Sequence, residues 1–114
     1  MIKVLELFAG SRSIGKSFEK HNCFVYSVDI QQFQNIDLCI AILNLEPESL
    51  PFIPSVIWAS PPCTYFSVAS IGKHWNKNNT PKTKEAIHGY KIAIKTKSII
   101  DYFLKKNPAL IYYI

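Results

Sequence analysis

The sequence predicts an α/β fold in which helices flank an open parallel sheet, and three observations support it. Short apolar runs bounded by Gly, Pro or Asp are typical of buried strands. Other segments carry apolar residues at helical spacing. The two kinds of segment alternate along the chain, as in parallel sheets with helical crossovers. The predicted strands are residues 2–9, 23–28, 55–59 and 109–114, and the predicted helices are residues 13–20 and 83–106.

The first predicted unit is a strand, a glycine turn and a short helix. The apolar run of residues 2–9 stops at Gly10, and Ile14 and Phe18 then lie four residues apart among polar residues. This spacing places both side chains on one face of a helix. The second predicted strand ends at Asp29.

The later elements are bounded by proline. Residues 55–59 stop at Ser60, Pro61 and Pro62, and the long amphipathic helix stops at Asn107 and Pro108. In open α/β sheets, ligands bind beyond the carboxyl ends of the strands. We therefore expect a functional site where Gly10, Asp29 and Pro61 follow their strands.

Composition sets broad limits on the chain. Its 114 residues fit one domain, and 48% apolar with 18% charged residues is typical of a folded protein. A net charge of +5 favours phosphate-rich partners such as DNA, although charge alone does not establish them. The cysteines form no C-x-x-C pair, so no metal site is predicted and a reducing cytoplasm is expected. A signal peptide and a long apolar run are both missing from the sequence, so no membrane role is expected.

The glycine loop supports two interpretations. Residues 10–17 match the Walker A pattern, in which Lys16 would contact phosphates and Ser17 would hold Mg²⁺. That interpretation needs an acidic Walker B residue, for which Asp29 is the nearby candidate. In the second interpretation Asp29 accepts hydrogen bonds from both hydroxyls of a ribose. A simple turn-capping role for Asp29 is a third alternative.

The Pro61-Pro62-Cys63 turn is the most informative segment. Two prolines fix the backbone where a strand ends and present the next side chain outward. Cys63 is then a candidate nucleophile, with burial as a small apolar side chain as the alternative. Its thiolate would need stabilisation, for which Lys73 and Arg12 are candidates.

Three motifs together resemble those of bacterial and bacteriophage DNA (cytosine-5) methyltransferases. They are Phe8-Ala9-Gly10, Val28-Asp29-Ile30, and Pro61-Pro62-Cys63 followed by Ser67. The resemblance implies a Rossmann-like S-adenosylmethionine-dependent fold with an incomplete parallel sheet. It also implies that the Cys63 thiolate attacks carbon 6 of a cytosine flipped out of DNA. The implied cofactor-binding residues are Phe8, Ala9, Gly10, Ser11, Ser13, Ile14, Asp29, Ile30 and Pro61, and the implied substrate-binding residues are Pro62 and Ser67.

The resemblance covers nearly all 114 residues but only the N-terminal part of a methyltransferase catalytic domain. Ala41-Ile42 stands where the family usually has Asp-Ile, and the family's catalytic Glu-Asn would follow Ile114. We therefore expect residues 1–114 to lack a target-recognition domain and to methylate DNA negligibly alone. A downstream fragment is a candidate partner beside DNA, in a bacterial or phage-infected cell. A non-catalytic interaction protein is the remaining alternative.

Overall fold

The computed structural model describes residues 1–61 and 84–114. Five strands and two α-helices form the described part, with short 3-10 turns at Ile42–Asn44 and Pro47–Ser49. The strands are β1 (Lys3–Leu7), β2 (Phe24–Asp29), β3 (Leu38–Cys39), β4 (Val56–Ala59) and β5 (Ile111–Tyr113), and the helices are α1 (Ser13–Lys20) and α2 (Lys84–Lys106).

The strands form one sheet in the order β3-β2-β1-β4-β5, and every neighbouring pair is parallel. At the carboxyl end of β1, Leu7 lies opposite Val28 on one side and Ala59 on the other. The chain therefore runs outward from β1 in both directions, and the strand order reverses between β1 and β4. Ligand sites of open α/β sheets form at such a reversal. The predicted α/β class and parallel sheet are confirmed.

The two helices pack against opposite faces of the sheet. Leu5 and Leu7 of β1 belong to the same buried cluster as Phe103 of α2. The residue between them, Glu6, instead accepts a hydrogen bond from the Gly15 amide of α1. Side chains alternate across a strand, so β1 contributes to both layers.

The predicted boundaries differ from the structure mainly at strand ends. Helix α1 has the predicted bounds. Strand β1 ends at Leu7, because Phe8 adopts a left-handed conformation with φ 58° that a strand cannot accommodate. Strand β3 was not predicted, since its two residues are too few to show a period of alternation. Neither described helix has the length and hydropathy needed to cross a bilayer.

Strand β5 forms an exposed edge of the described sheet. Its three residues pair with β4 alone, and Ile111, Tyr112 and Tyr113 are each about half exposed. A strand edge with apolar side chains can pair with another chain. We therefore expect the β5 edge to promote self-association.

A lysine at the middle of β5 should suppress this association. We expect Tyr112→Lys to reduce oligomers in sedimentation velocity while changing stability by less than about 0.5 kcal/mol, because the side chain is exposed. Ile53→Lys is the matched control, since Ile53 is 50% exposed and lies outside every strand. Equal effects of the two variants would assign the change to net charge rather than to the β5 edge.

Candidate functional site

A cavity of about 480 Å³ lies at the carboxyl ends of β1, β2, β3 and β4. Each of these four strands contributes the residue that follows it. Helix α2 forms a further wall of the cavity. The position is the one that the parallel order predicts for a ligand site. The lining residues are Phe8, Val28, Asp29, Ile30, Gln31, Ile40, Ala41, Ile42, Leu43, Ser60, His88, Gly89 and Ile92.

The turn after β1 is unusual in its backbone. Phe8, Gly10 and Arg12 all have positive φ, at 58°, 55° and 63°. Such conformations are unfavourable for residues other than glycine and concentrate at functional sites. The Ala9 amide donates to the Val28 carbonyl at 3.0 Å, which ties the turn to the end of β2. Phe8 is thereby held at the cavity wall.

Asp29 links the two turns that border the cavity. Its Oδ2 accepts a hydrogen bond from the Gly10 amide at 2.8 Å, and its Oδ1 accepts one from the Gln31 amide at 2.9 Å. The turn-capping alternative is therefore part of its role. Each carboxylate oxygen carries a second lone pair, so the group can still accept hydrogen bonds from a ligand in the cavity.

A buried polar network fixes the glycine turn from the α1 side. Glu6, only 2% exposed, accepts hydrogen bonds from the Gly15 amide at 2.9 Å and from the Ser27 hydroxyl at 2.9 Å. A Cβ on Gly15 would overlap the Glu6 carboxylate and lie 3.2 Å from Val25 Cγ1. Glycine is therefore required at this position for the close approach of α1 to the sheet.

Arg12 belongs to the same network. Its Nε donates to the Ser27 hydroxyl at 2.7 Å, and its Nη2 lies 3.0 Å from Glu19 Oε1. The side chain is buried, with 4% exposed, and it is not among the residues that line the cavity. Arg12 is therefore already paired with Ser27 and Glu19, and its role beside the Cys63 thiolate stays a prediction because Cys63 lies outside the described residues.

Four amides of the glycine loop are paired within the protein. Besides the Gly10 and Gly15 amides, which donate to carboxylates, the Arg12 amide donates to Ala9 and the Lys16 amide donates to Arg12. A phosphate-binding loop needs such amides directed at the phosphate. In this loop two carboxylates accept hydrogen bonds from them.

Helix α2 forms a wall of the cavity that the sequence did not predict. His88, Gly89 and Ile92 line it from the N-terminal part of the helix. His88 and Ile92 are four residues apart, which is the spacing of neighbours on one helix face. That spacing, with a polar ring beside apolar residues, was the signal available in the sequence. Gln31, Ile40, Leu43 and Ser60 were also not predicted, and they simply follow or flank strand ends.

The cavity brings together only part of the predicted site. Phe8, Asp29 and Ile30 line it, and Gly10 contacts Asp29 directly. Ala41 and Ile42 line it as well. Ser11 and Ser13 are exposed and their hydroxyls lie 3.0 Å from each other. The predicted residues outside the lining are Ala9, Gly10, Ser11, Ser13, Ile14 and Pro61, and those outside the described residues are Pro62, Cys63 and Ser67.

Comparisons of the chain with protein-family models, with curated proteins and with solved structures found no match. Within residues 1–61 and 84–114, no three His, Cys, Asp or Glu side chains are grouped so that they could bind a metal ion.

Proposed function

We propose that the chain has the Rossmann-like fold of S-adenosylmethionine-dependent methyltransferases and forms the cofactor-binding and nucleophile-bearing part of a DNA (cytosine-5) methyltransferase. The observation that carries the proposal is the cavity beside Asp29. A carboxylate held by the Gly10 amide at 2.8 Å stands there, at the point where the strand order reverses. This arrangement suits a nucleoside whose ribose hydroxyls donate to a carboxylate.

The size of the cavity and its lining residues support S-adenosylmethionine as the cofactor. A volume of about 480 Å³ lies within the range of small-molecule sites. Asp29 would accept hydrogen bonds from the ribose, and Ile30 and Ile42 offer apolar surface for the base. Phe8 and Gly10 would border the methionine part, as the family resemblance implies. When bound, the cofactor supplies an electrophilic methyl group.

Cys63 and its neighbours carry the substrate side of the proposal. The Cys63 thiolate would form a bond to carbon 6 of the cytosine, which makes carbon 5 nucleophilic. Transfer of the methyl group to carbon 5 would leave S-adenosylhomocysteine, and removal of the carbon-5 proton by solvent with departure of the thiolate would restore the aromatic ring. Pro62 and Ser67 would border the flipped base, and lysines of α2 such as Lys91 and Lys105, which are exposed, would contact DNA phosphates.

The nucleotide-binding alternative has less support. A Walker A loop offers its amides to phosphate, whereas the Gly10 and Gly15 amides donate to Asp29 and Glu6. A phosphate placed there would displace these bonds and meet two carboxylates. The exposed β5 edge is the observation that favours an interaction protein, and it is compatible with cofactor binding as well.

Calorimetric titration with S-adenosylhomocysteine tests the proposal. We expect binding by the unmodified chain and no response to ATP with Mg²⁺. Asp29→Asn should weaken binding about 10- to 100-fold, because hydrogen bonds to a charged group contribute about 1.5–3 kcal/mol. Asp101→Asn is the matched control, since it removes the same charge from a side chain that pairs with Lys97 on α2 outside the cavity.

A second variant separates binding from folding. Ile30 lines the cavity but is 67% exposed. Ile30→Asp should therefore leave the thermal unfolding temperature unchanged while weakening the binding of S-adenosylhomocysteine. Binding of Mg²⁺-ATP without S-adenosylhomocysteine binding would overturn the proposal in favour of a nucleotidase. Binding of neither ligand would favour the alternative that the chain is a non-catalytic interaction protein.

A further inference from the structure

The α2 wall of the cavity carries a polar ring, that of His88. His88 lines the cavity and is exposed, whereas the adjacent Gly89 is buried. Within residues 1–61 and 84–114, the His88 ring forms no hydrogen bond or ion pair. Packing and internal polar contacts therefore do not account for a histidine at this position.

The other polar side chains of the lining are on the strand side. The Asp29 carboxylate accepts hydrogen bonds from two backbone amides, and the Ser60 hydroxyl accepts one from Trp58 Nε1 at 3.1 Å. Gln31 follows Asp29 by two residues and so belongs to the same turn. His88 is on α2, across from this turn, where no other polar lining residue is contributed by the described part of the helix.

The strand-side wall also contains a continuous apolar stretch. Ile40, Ala41, Ile42 and Leu43 all line the cavity. A planar base can pack on such a wall, but its polar edge then needs a hydrogen-bonding partner to replace water. A neutral imidazole offers one donor and one acceptor, which suits the mixed edge of a purine.

We propose that His88 determines base specificity by hydrogen bonding the polar edge of the nucleoside in this cavity. The inference rests on the proposed nucleoside-binding function. In this proposal, His88 of α2 distinguishes one base from another, and Asp29 binds the ribose. The apolar stretch then supplies packing surface without discrimination.

Titrations with S-adenosylhomocysteine and S-inosylhomocysteine test the inference. These two ligands differ only at the base edge, where a carbonyl replaces an amino group. The unmodified chain should prefer one of them. His88→Phe, which keeps a ring without polar atoms, should weaken the preferred ligand about three- to ten-fold and reduce the preference. His88→Gln, which keeps a donor and an acceptor, should retain more of both.

The possible outcomes distinguish failure of this inference from failure of the proposed function on which it rests. Because His88 is exposed, all variants should unfold at the same temperature as the parent chain. Equal weakening of both ligands by His88→Phe, or no weakening, overturns the role of His88 while leaving the cavity a nucleoside site. Failure of the parent chain to bind either ligand overturns the proposed function and this inference with it.

Discussion

Replacement of Phe103 by alanine is expected to lower the free energy of unfolding by about 3–5 kcal/mol, the usual cost of truncating a buried aromatic side chain. Phe103 is 1% exposed and belongs to the cluster in which α2 packs against β1 and β4. Its loss removes apolar burial and leaves a cavity that a close-packed core fills only in part. Urea unfolding followed by circular dichroism measures the change.

Ile94→Ala on the same helix is the matched control. Ile94 is 52% exposed, and alanine is the better helix former, so the variant should unfold within about 0.5 kcal/mol of the parent chain. A comparable loss for the two variants would contradict the assignment of the α2 faces. The result would also test whether the exposed stripe of α2 contributes to folding.

The main elements of the fold could be predicted because burial leaves a pattern in their sequences. The apolar run of β1 reflects burial on both faces of the strand, and the Ile14–Phe18 spacing of α1 reflects packing of one helix face on the sheet; both elements were predicted. Strand β3 could not be predicted, because its pairing with Val28 and Asp29 of β2 is fixed by tertiary contacts rather than by its own sequence. The end of β1 was placed too late because a positive φ at Phe8 leaves no compositional sign.

The site was predicted only in part, because local sequence patterns indicate where strands end but not which distant elements pack together. Asp29 could be placed because an acidic residue after a strand lies at the ligand end of a parallel sheet. The apolar stretch at residues 40–43 and His88 join it only through the packing of α2 across the sheet. The spacing of His88 and Ile92 indicates a shared helix face, but it does not indicate which distant residues that face meets. The assignment of Cys63 stays a prediction, since it lies outside the described residues.

The Glu6–Gly15 contact yields the second large effect. Glu6→Ala is expected to cost about 2–4 kcal/mol, because it leaves the Gly15 amide and the Ser27 hydroxyl, both hydrogen bonded to Glu6, without an acceptor. Gly15→Ala should cost about 1–3 kcal/mol by overpacking, since its Cβ would overlap the Glu6 carboxylate. Urea unfolding of both variants provides the two single-mutant values.

The double variant tests whether contact with Glu6 explains the glycine at position 15. With the carboxylate removed by Glu6→Ala, the new Cβ has only Val25 within 3.2 Å, so the added cost of Gly15→Ala should fall by about 1 kcal/mol or more. Ser17→Ala, at an exposed position of the same helix, should be near neutral in both backgrounds. An unchanged cost of Gly15→Ala in the two backgrounds would mean that contact with Glu6 does not explain the glycine. A fall in that cost would instead account for the second glycine of the Walker-like pattern by helix packing, with no phosphate required.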